Sequence, residues 1–428
     1  MRTPVPGPAH RRGPGLLHVL VVLALLLVTA GCAATDTEAR ERVSIMVPWT
    51  QQGEFQAFYS LVKDFERDTG VRVDVQVTRA LTQQLDASVT AGAAPDLAVL
   101  PSVGAITRYA GKEDGLRPLD ADTVDIGAFL QPFRNLARVA GTTYAVPVKV
   151  DVKSLVWYDS AVRGERRTDT ADVFDFVPGS GLRWCLGLAS GPTSGWPGAD
   201  WIADVLLADA GPDAYVRWVS GTLPWTSPEV ERAWSRWHDL MGRSALRGAS
   251  HRGFAEATEP MATEAATCRL VHGARSALAA DLQRADRFDF VAPAAGRPVE
   301  VSGDFIGMFT DDNPSARRFV AYLAGAEGQR AWVEASGSSA FSARTEVSRY
   351  ADAVQQRIAA MLHPRSGYRL CFGAADVMSP DVAAAFYRAV LDYADGADLG
   401  TLLDRLQRVQ DGLRHAPVPG NSICSEPT

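Results

Sequence analysis

Apolar residues switch repeatedly between strand-like and helix-like spacing in the first quarter of the chain, and this switching constrains the fold more than any other feature. Short apolar or alternating runs at 43–47, 71–77 and 96–100 predict strands. Between them, apolar residues recur every three or four positions over 54–68 and 81–90, which predicts amphipathic helices. Strands and helices in this order form a parallel sheet with right-handed crossovers, so the sequence predicts an α/β fold.

The carboxyl ends of these strands mark a candidate ligand site. Open parallel sheets bind ligands beyond the carboxyl ends of their strands. Here the first strand runs into Pro48-Trp49-Thr50, and the second into Thr78-Arg79. We therefore expect Trp49 to contact a ligand.

Residues 146–158 contain another strand pattern, with an unusual polar face. Three valines alternate with Lys149, Asp151 and Lys153, so the two sets lie on opposite faces of a strand. The chain has only four lysines, and two of them lie here. One interpretation is an edge strand with a solvated face. The other is a strand that passes between two lobes and presents Lys149 and Asp151 to a cleft.

Tryptophans concentrate between residues 184 and 237, where seven of the ten lie. Trp234 and Trp237 are three apart on a predicted helix, which indicates core packing. Trp196 and Trp201 instead flank a Pro-Gly-Ala-Asp200 segment that we read as a turn. Aromatic faces beside a carboxylate suit a sugar, because its C–H face stacks on the rings and its hydroxyls donate to the acid. The alternative is a tryptophan pair that covers the core.

A strand at 301–309 supplies one more candidate. The helix that follows it begins with Asn313 as N-cap and Pro314 at its first position. Asp304 lies inside the strand between glycine and phenylalanine, where a carboxylate needs a polar partner. We therefore expect Asp304 to contact the ligand.

The first 32 residues read as a targeting segment. Three arginines and no acid precede a short apolar run at 16–30, and Thr29-Ala30-Gly31 supplies small residues before Cys32. This pattern resembles a bacterial lipoprotein signal, in which the cysteine is acylated, although Thr29 stands where leucine or valine is usual. The alternatives are an uncleaved anchor and a secreted protein. The apolar run is short for a spanning helix.

Four further cysteines, Cys185, Cys268, Cys371 and Cys424, are consistent with an oxidising compartment. They predict two disulfides with three possible connectivities, and the alternative is four buried thiols.

Composition and motifs argue against several functions. The net charge is −7, and the chain without its arginine-bearing leader is more acidic still, which disfavours nucleic acid as a partner. The sequence has no nucleophile-elbow, zinc-protease or phosphate-loop motif, and its histidines are not at metal-ligand spacing. We therefore predict no enzyme activity, no metal and no cofactor. Paired carboxylates for glycoside hydrolysis are not readable from sequence alone.

Seven segments together resemble the family 1 extracellular solute-binding proteins of carbohydrate ABC transporters, in particular the alpha-glucoside-binding branch. These segments are 147–158, 184–187, 194–201, 215–221, 302–305, 322–324 and 376–378. Their order and spacing carry the resemblance, which extends from about residue 43 to near the end of the chain.

The resemblance implies a two-lobed periplasmic-binding-protein-like fold, in which each lobe is a sheet flanked by helices and three crossover segments join the lobes. The expected organisation is a lipoprotein signal peptide at 1–31, a tether at 32–42, lobe 1 at 43–150 and 299–344, and lobe 2 at 151–298 and 345–424. We expect hinges near 150–154, 298–304 and 342–345.

The resemblance also implies a function: an extracytoplasmic substrate-binding lipoprotein of an ABC importer, anchored to the cell membrane through Cys32. Such a protein would capture a small carbohydrate, such as an alpha-glucoside or an oligosaccharide, and dock as a monomer on membrane permease subunits. We expect the ligand to be bound by Trp49, Lys149, Asp151, Trp196, Asp200, Trp201 and Asp304.

The resemblance further implies a Cys185–Cys268 disulfide, which leaves Cys371 to pair with Cys424. Two segments depart from the branch, namely 159–183 and 272–275. These departures keep three other hypotheses open. The first is a binder of another polar solute such as a polyol phosphate, which Arg79, Lys149 and Lys153 would favour. The others are a ligand-sensing receptor and a secreted glycoside-active enzyme.

Overall fold

The computed structural model describes residues 42–160, 183–263, 266–284, 288–350, 352–413 and 423–426. The targeting segment and Cys32 lie outside these residues. The first part of the chain contains β1 (Arg42–Val47), α1 (Gln52–Thr69), β2 (Arg72–Val77), α2 (Leu81–Thr90), β3 (Leu97–Leu100), α3 (Val103–Tyr109), α4 (Phe133–Leu136), β4 (Arg138–Val139), β5 (Thr142–Thr143), β6 (Ala145–Val152) and β7 (Val156–Asp159).

The second part contains α5 (Trp196–Val219), α6 (Pro228–Leu246), β8 (Leu270–His272), α7 (Ala280–Arg284), β9 (Phe288–Val291), β10 (Pro298–Met308), α8 (Pro314–Ala324), α9 (Ala326–Glu334), α10 (Ala353–Leu362), β11 (Arg369–Phe372), α11 (Ala374–Val377), α12 (Pro380–Ala394) and α13 (Leu399–Asp411).

The predicted alternation of strands and helices at the start of the fold is confirmed. β1 lies between β2 and β3 and is parallel to both, with Ile45 opposite Val75 on one side and Leu97 on the other. Gly70 ends α1 in the left-handed conformation, with φ at 73°. The apolar face of α1, including Phe58 and Phe65, packs into the core.

Two long strands connect this sheet to the second lobe. The far end of β10, Phe305–Met308, pairs antiparallel with β3, whereas its first residues, Pro298–Val301, pair parallel with β11. β6 runs antiparallel to β10 along most of its length. All eight residues of β6 are buried, so the interpretation of a strand with a solvated face is wrong. The strand runs through the interior, although β10 is its only strand partner among the described residues.

A third connection lies beside these strands. Phe341 forms a bridge with Val150 of β6, and Arg344 forms one with Phe129. The backbone N–H of Val150 donates to the carbonyl of Phe341 at 2.9 Å. The three crossover segments therefore meet along the middle of β6.

The second lobe combines helices with a small antiparallel sheet in the order β8-β7-β9. Its core is aromatic: Trp218, Trp225, Trp234 and Trp237 are almost completely buried, as the helical spacing of the last two predicted. Phe386 of α12 packs against three of these rings. Within the described residues, no helix combines the length and the apolar character needed to span a membrane.

Two disulfides tie this lobe together. Cys185 is bonded to Cys268 and Cys371 to Cys424, so both predicted pairings are confirmed in the structure. The first joins the segment before α5 to Cys268, two residues before the start of β8. The second attaches the C-terminal residues to β11.

Candidate functional site

A cleft of about 300 Å³ lies where the two lobes meet. One wall comes from residues that follow the first three strands: Trp49, Arg79 and Ser102. The opposite wall comes from the second lobe and contains Thr193, Trp196, Asp200, Asp376 and Tyr387. The floor is formed by the crossover strands, through Lys149, Asp151, Lys153 and Asp304.

Six of the seven predicted ligand residues line this one cleft: Trp49, Lys149, Asp151, Trp196, Asp200 and Asp304. They come from β10, from β6, from the end of β1 and from the start of α5. Strand alternation explains the contribution of β6, because every second side chain of a strand points to the same face.

Trp201 is the exception, and its prediction needs correction. It is 3% exposed and does not line the cleft. Its ring packs edge-on against Trp184, with ring centroids 4.6 Å apart, and lies tilted against the His272 ring, with centroids 4.2 Å apart. The reason is that the segment predicted as a turn is the first part of helix α5. Five residues on a helix turn the side chain by about 140° relative to Trp196, whereas Asp200, four residues on, stays on the same face.

A close helix contact aligns Trp196 with the rest of the wall. Gly195, with φ at 106°, precedes α5, and a β-carbon there would lie 2.1 Å from the carbonyl oxygen of Tyr387. Only glycine permits this approach of α5 to α12. As a result, the side chains of Trp196 and Tyr387 face the same cleft.

Trp49 lies deeper than expected. Its ring is 2% exposed and packs on Phe58 at 4.8 Å and Trp332 at 5.0 Å. The indole N–H donates to Asp304 Oδ2 at 2.8 Å. Trp49 therefore orients a cleft carboxylate as well as lining the wall.

Lys149 is at the centre of the first of two charged clusters in the floor. Its Nζ lies 2.7 Å from Glu54 Oε1 and 3.3 Å from Asp151 Oδ2, and Asp304 Oδ2 is 3.9 Å away. Burial alone would lower the pKa of Lys149, but these carboxylates outweigh it and raise the pKa. Ser276 of the second lobe donates from Oγ to Asp151 Oδ2 at 2.9 Å, which joins the two lobes through this cluster.

Burial raises the pKa of two carboxyl groups in this cluster, those of Asp304 and Asp151. It raises the pKa of Asp304 to about 6, against the opposing effects of Lys149 and of the Trp49 N–H. It also raises the pKa of Asp151, against Lys149 and the Ser276 hydroxyl.

Lys153 is at the centre of the second cluster. Its Nζ donates to Asp200 Oδ1 at 2.9 Å and to Asp376 Oδ2 at 2.8 Å. Burial opposes protonation of this lysine, but the neighbouring carboxylates raise its pKa well above the ordinary value. Burial raises the pKa of Asp200 to about 6, although Lys153 acts in the opposite direction.

Buried polar residues support the second cluster from behind. Asp204 accepts a hydrogen bond from Ser154 Oγ at 2.5 Å and lies 2.7 Å from His272 Nε2. Glu300 is completely buried, and neither of its carboxyl oxygens has a hydrogen-bond partner among the described residues. Burial raises the pKa of Glu300 well above its ordinary range, because the charged form is disfavoured away from water.

Arg79 spans the mouth of the cleft. Its Nε donates to Thr50 Oγ1 at 2.7 Å, and its guanidinium lies over the ring of Phe254 at 5.1 Å. Phe254 in turn packs edge-on against Trp196 at 5.2 Å. A side chain of the first lobe thus stacks on an aromatic pair of the second.

The sequence analysis did not find four of the residues that line the cleft. Glu54 carries a usable signal, since it is an acid in the first turn of the helix that follows β1. Asp376 lies in one of the seven matched segments. Ser276 and Tyr387 carry no signal, because only the packing of distant segments brings them to the cleft.

The arrangement offers hydrogen-bonding groups of fixed orientation rather than a reactive group. Each lysine is held between carboxylates, so the positive charge in the floor is already balanced. The carboxylates retain the capacity to accept hydrogen bonds, and the rings of Trp196 and Tyr387 add flat faces. Within the described residues, no group of three or more histidine, cysteine or acidic side chains is arranged to hold a metal ion.

Comparisons with known proteins agree on one family. A family model described as bacterial extracellular solute-binding protein matches residues 60–361. The osmoprotective compounds-binding protein GgtB of Synechocystis is 26% identical over 91% of this chain and 97% of its own length. The alpha-glucosides-binding periplasmic protein AglE of Rhizobium meliloti is 26% identical over 87% of this chain and 88% of its own length.

Solved structures share the fold. The bacterial solute receptor AcbH, described as preferring β-D-galactopyranose, has a TM-score of 0.68 at 18% identity, covering 86% of this chain and 97% of its own. Maltose-bound MalE3 of T. maritima has a TM-score of 0.61 at 14% identity, covering 86% of this chain and 99% of its own. The predicted two-lobed α/β fold is thereby confirmed.

Proposed function

Because the chain belongs to the bacterial extracellular solute-binding proteins, we propose that it captures a small neutral carbohydrate for an ABC importer. The family acts outside the cytoplasm, and the site lies in the cleft between the lobes. An alpha-glucoside or an oligosaccharide is the ligand class that this proposal favours.

The observation that carries the proposal is the charge balance of the cleft floor beside aromatic faces. Lys149 and Lys153 each contact two carboxylates within 3.3 Å. A sugar needs acceptors for its hydroxyls and an apolar face for its C–H groups, and both are present here. An anionic ligand such as a polyol phosphate would meet five acids, Glu54, Asp151, Asp200, Asp304 and Asp376, against three bases. The cleft therefore favours a neutral solute over an anion.

The names of the relatives support the same class. AglE is described as binding alpha-glucosides and GgtB as binding osmoprotective compounds. AcbH is described as preferring a galactopyranose, and MalE3 was solved with maltose. All four are described as binding or receptor proteins or as ligand complexes, which fits a role without turnover.

The direct test is a binding screen. We expect at least one neutral sugar among mono-, di- and trisaccharides to raise the unfolding temperature, since a ligand at 100 times its Kd adds about 2.7 kcal/mol of stability. Calorimetry should then give one site per chain. Chromatography of the recovered sugar should show it unchanged. A failure of all neutral sugars, together with binding of a sugar or polyol phosphate, would reverse the assignment, and turnover would indicate an enzyme.

The setting proposed for this binding protein is a membrane-anchored monomer that delivers its ligand to permease subunits. Acylation at Cys32 would supply more than one lipid chain, which is enough for stable anchoring where one chain is not. Cys32→Ala should move the protein from the membrane fraction to the soluble or unprocessed pool. Retention of processed Cys32→Ala protein on membranes would contradict the anchor.

A further inference from the structure

A second cavity, of about 540 Å³, opens between the lobes on the other side of Glu54 and Ser276. Its lining shares these two residues, and no others, with the cleft described above. Ligand pockets in proteins measure roughly 300–1,000 Å³, so each cavity alone is large enough for a small-molecule fragment. The two cavities are adjacent through these shared residues, and we name them the cleft chamber and the second chamber.

The boundary between the chambers is a continuous polar floor rather than a wall of apolar side chains. Glu54 contacts Lys149 at 2.7 Å, Lys149 contacts Asp151 at 3.3 Å, and Ser276 donates to Asp151 at 2.9 Å. Asp151 Oδ1, in the same chain of contacts, has no hydrogen-bond partner among the described residues. Asp151 Oδ1 is itself buried, so a ligand over this floor would meet Glu54 and Ser276, which line both chambers.

The second chamber has the composition of a site for a neutral, hydroxyl-rich group. Its one guanidinium, on Arg275, is held by both carboxylate oxygens of Asp352, at 2.7 and 3.1 Å. Amide and hydroxyl side chains such as Gln51, Ser336 and Ser338 line part of the remainder. Glu334 and the apolar side chains of Trp157, Leu282, Phe288 and Val354 line the rest. The chamber therefore offers hydrogen bonds and has no unpaired positive charge in its lining.

Both lobes contribute to the second chamber. The first lobe contributes Gln51, Gly53, Glu54 and residues 334–338. The second lobe and the segment after the third crossover contribute Arg275, Ser276, Leu282, Gln283, Phe288 and residues 352–355. A group bound there would be enclosed by the same closure that encloses a ligand in the cleft chamber.

We propose that the second chamber binds the extension of a longer ligand, so that the protein selects a di- or trisaccharide, or a glycoside with a polar aglycone, over a monosaccharide. This inference rests on the proposed function, because it assumes that a sugar unit occupies the cleft chamber. It adds a binding subsite built from residues other than the predicted ligand set.

Calorimetry with matched sugar series tests the proposal. The probes are glucose, maltose and maltotriose, with galactose and N-acetylglucosamine and their oligomers as further series. In the wild-type protein we expect the preferred di- or trisaccharide to bind at least about tenfold more tightly than its monosaccharide. Ser336→Trp, which places a bulky ring in the second chamber, should abolish that gain and leave the monosaccharide affinity unchanged.

Ser348→Trp is the matched control, because Ser348 is an exposed serine outside both chambers. The Ser348→Trp variant should still bind the di- or trisaccharide more tightly than the monosaccharide. If monosaccharides bind but longer sugars gain nothing, or if the gain survives Ser336→Trp, the second-chamber proposal fails and the sugar-binding function stands. If no sugar of any length binds, the proposed function fails and this inference fails with it.

Discussion

At the scale of the residue, two cleft carboxylates titrate close to neutral pH. Burial raises the pKa of Asp304 and of Asp200 to about 6. Below that pH each loses the negative charge that makes it a strong acceptor for a sugar hydroxyl. We expect sugar affinity to fall as the pH drops from 7.5 to 5, which calorimetry at several pH values measures. Asp304→Asn should bind more weakly at pH 7.5 and show a flatter pH profile.

The same pKa shifts affect stability in the opposite direction. A carboxyl group whose folded-state pKa is raised binds protons more readily in the folded than in the unfolded state. The stabilisation from Asp304 is therefore present below about pH 4 and is lost as the pH rises through 6. Relative to Asp304→Asn, the wild-type protein should gain stability on acidification from pH 7 to 5. An unchanged difference in unfolding temperature across that range would contradict the raised pKa.

A substitution at Trp49 can distinguish the contribution of its hydrogen bond to Asp304 from the contribution of its ring packing. Trp49→Phe keeps an aromatic ring against Phe58 and removes the N–H that donates to Asp304 at 2.8 Å. A hydrogen bond to a charged group contributes about 1.5–3 kcal/mol, so we expect a roughly 10-fold loss of affinity at pH 7.5. The pH at which affinity is half lost should rise. Trp332→Phe, which changes the neighbouring core ring without touching Asp304, should leave that pH in place.

At the scale of the element, helix α5 places Trp196 in the cleft and Trp201 in the core, although the sequence analysis predicted that both contact the ligand. Trp196→Ala should weaken sugar binding by about tenfold or more through lost stacking, with little change in stability. Trp201→Ala should lower the free energy of unfolding by about 3–5 kcal/mol, because it leaves a cavity beside Trp184 and His272. Calorimetry and denaturant unfolding of both variants distinguish the two outcomes. A binding defect in folded Trp201→Ala as large as in Trp196→Ala would contradict the assignment.

The first disulfide stabilises the second lobe over a long stretch of chain. Cys185 and Cys268 are 83 residues apart, and the chain-entropy model gives such a closed loop up to about 4.5 kcal/mol. The double variant Cys185→Ser/Cys268→Ser should therefore unfold at clearly lower denaturant concentration. Peptide mapping without reductant should recover the two pairs in the wild-type protein. Any other connectivity would contradict the structure.

The elements were more predictable from sequence than the residues that meet in the cleft. Periodicity placed α2 at Leu81–Thr90 without error, because a helix needs only local spacing. The alternation in β6 identified Lys149 and Asp151 as cleft residues, because the alternation of a strand also depends only on local spacing. The prediction that Trp201 contacts the ligand failed because the Gly-Pro-rich segment 194–201 reads as a turn. Proline and glycine are nevertheless tolerated in the first turn of a helix, and this segment begins α5. Ser276 and Tyr387 reach the cleft only through tertiary packing, which local patterns do not encode.

At the scale of the whole molecule, we expect the three crossover segments to let the lobes move as units. The predicted hinges near 150–154, 298–304 and 342–345 lie where β6, β10 and the Phe341 bridge run together. A few residues at the ends of elements can absorb such a rotation. Small-angle scattering should show a smaller radius of gyration with saturating sugar. An unchanged radius at proven saturation would count against hinge closure.

The contact between the lobes at Gly104 makes closure testable with one methyl group. A β-carbon at Gly104 in α3 would lie 2.2 Å from the carbonyl oxygen of Met378 and 3.2 Å from Pro380 Cδ, across the seam between the lobes. Since Met378 contributes backbone here, no side-chain rotation relieves the clash, and we expect the lobes to separate slightly instead. Gly104→Ala should therefore hold the lobes partly open, raise the sugar dissociation rate and weaken binding by about tenfold.

The matched control for Gly104→Ala is Gly400→Ala, whose β-carbon would meet Asp398 Oδ1 at an ordinary 3.6 Å. It should change neither the dissociation rate nor the scattering. Because α3 forms with a non-glycine residue as readily as with glycine, Gly104→Ala should fold normally, and circular dichroism checks that point. A Gly104→Ala protein that binds sugar and contracts like the wild type would show that the seam at Met378 is not part of the closed state. A loss of affinity together with a smaller contraction would identify Gly104 as the residue that lets the two lobes meet over the ligand.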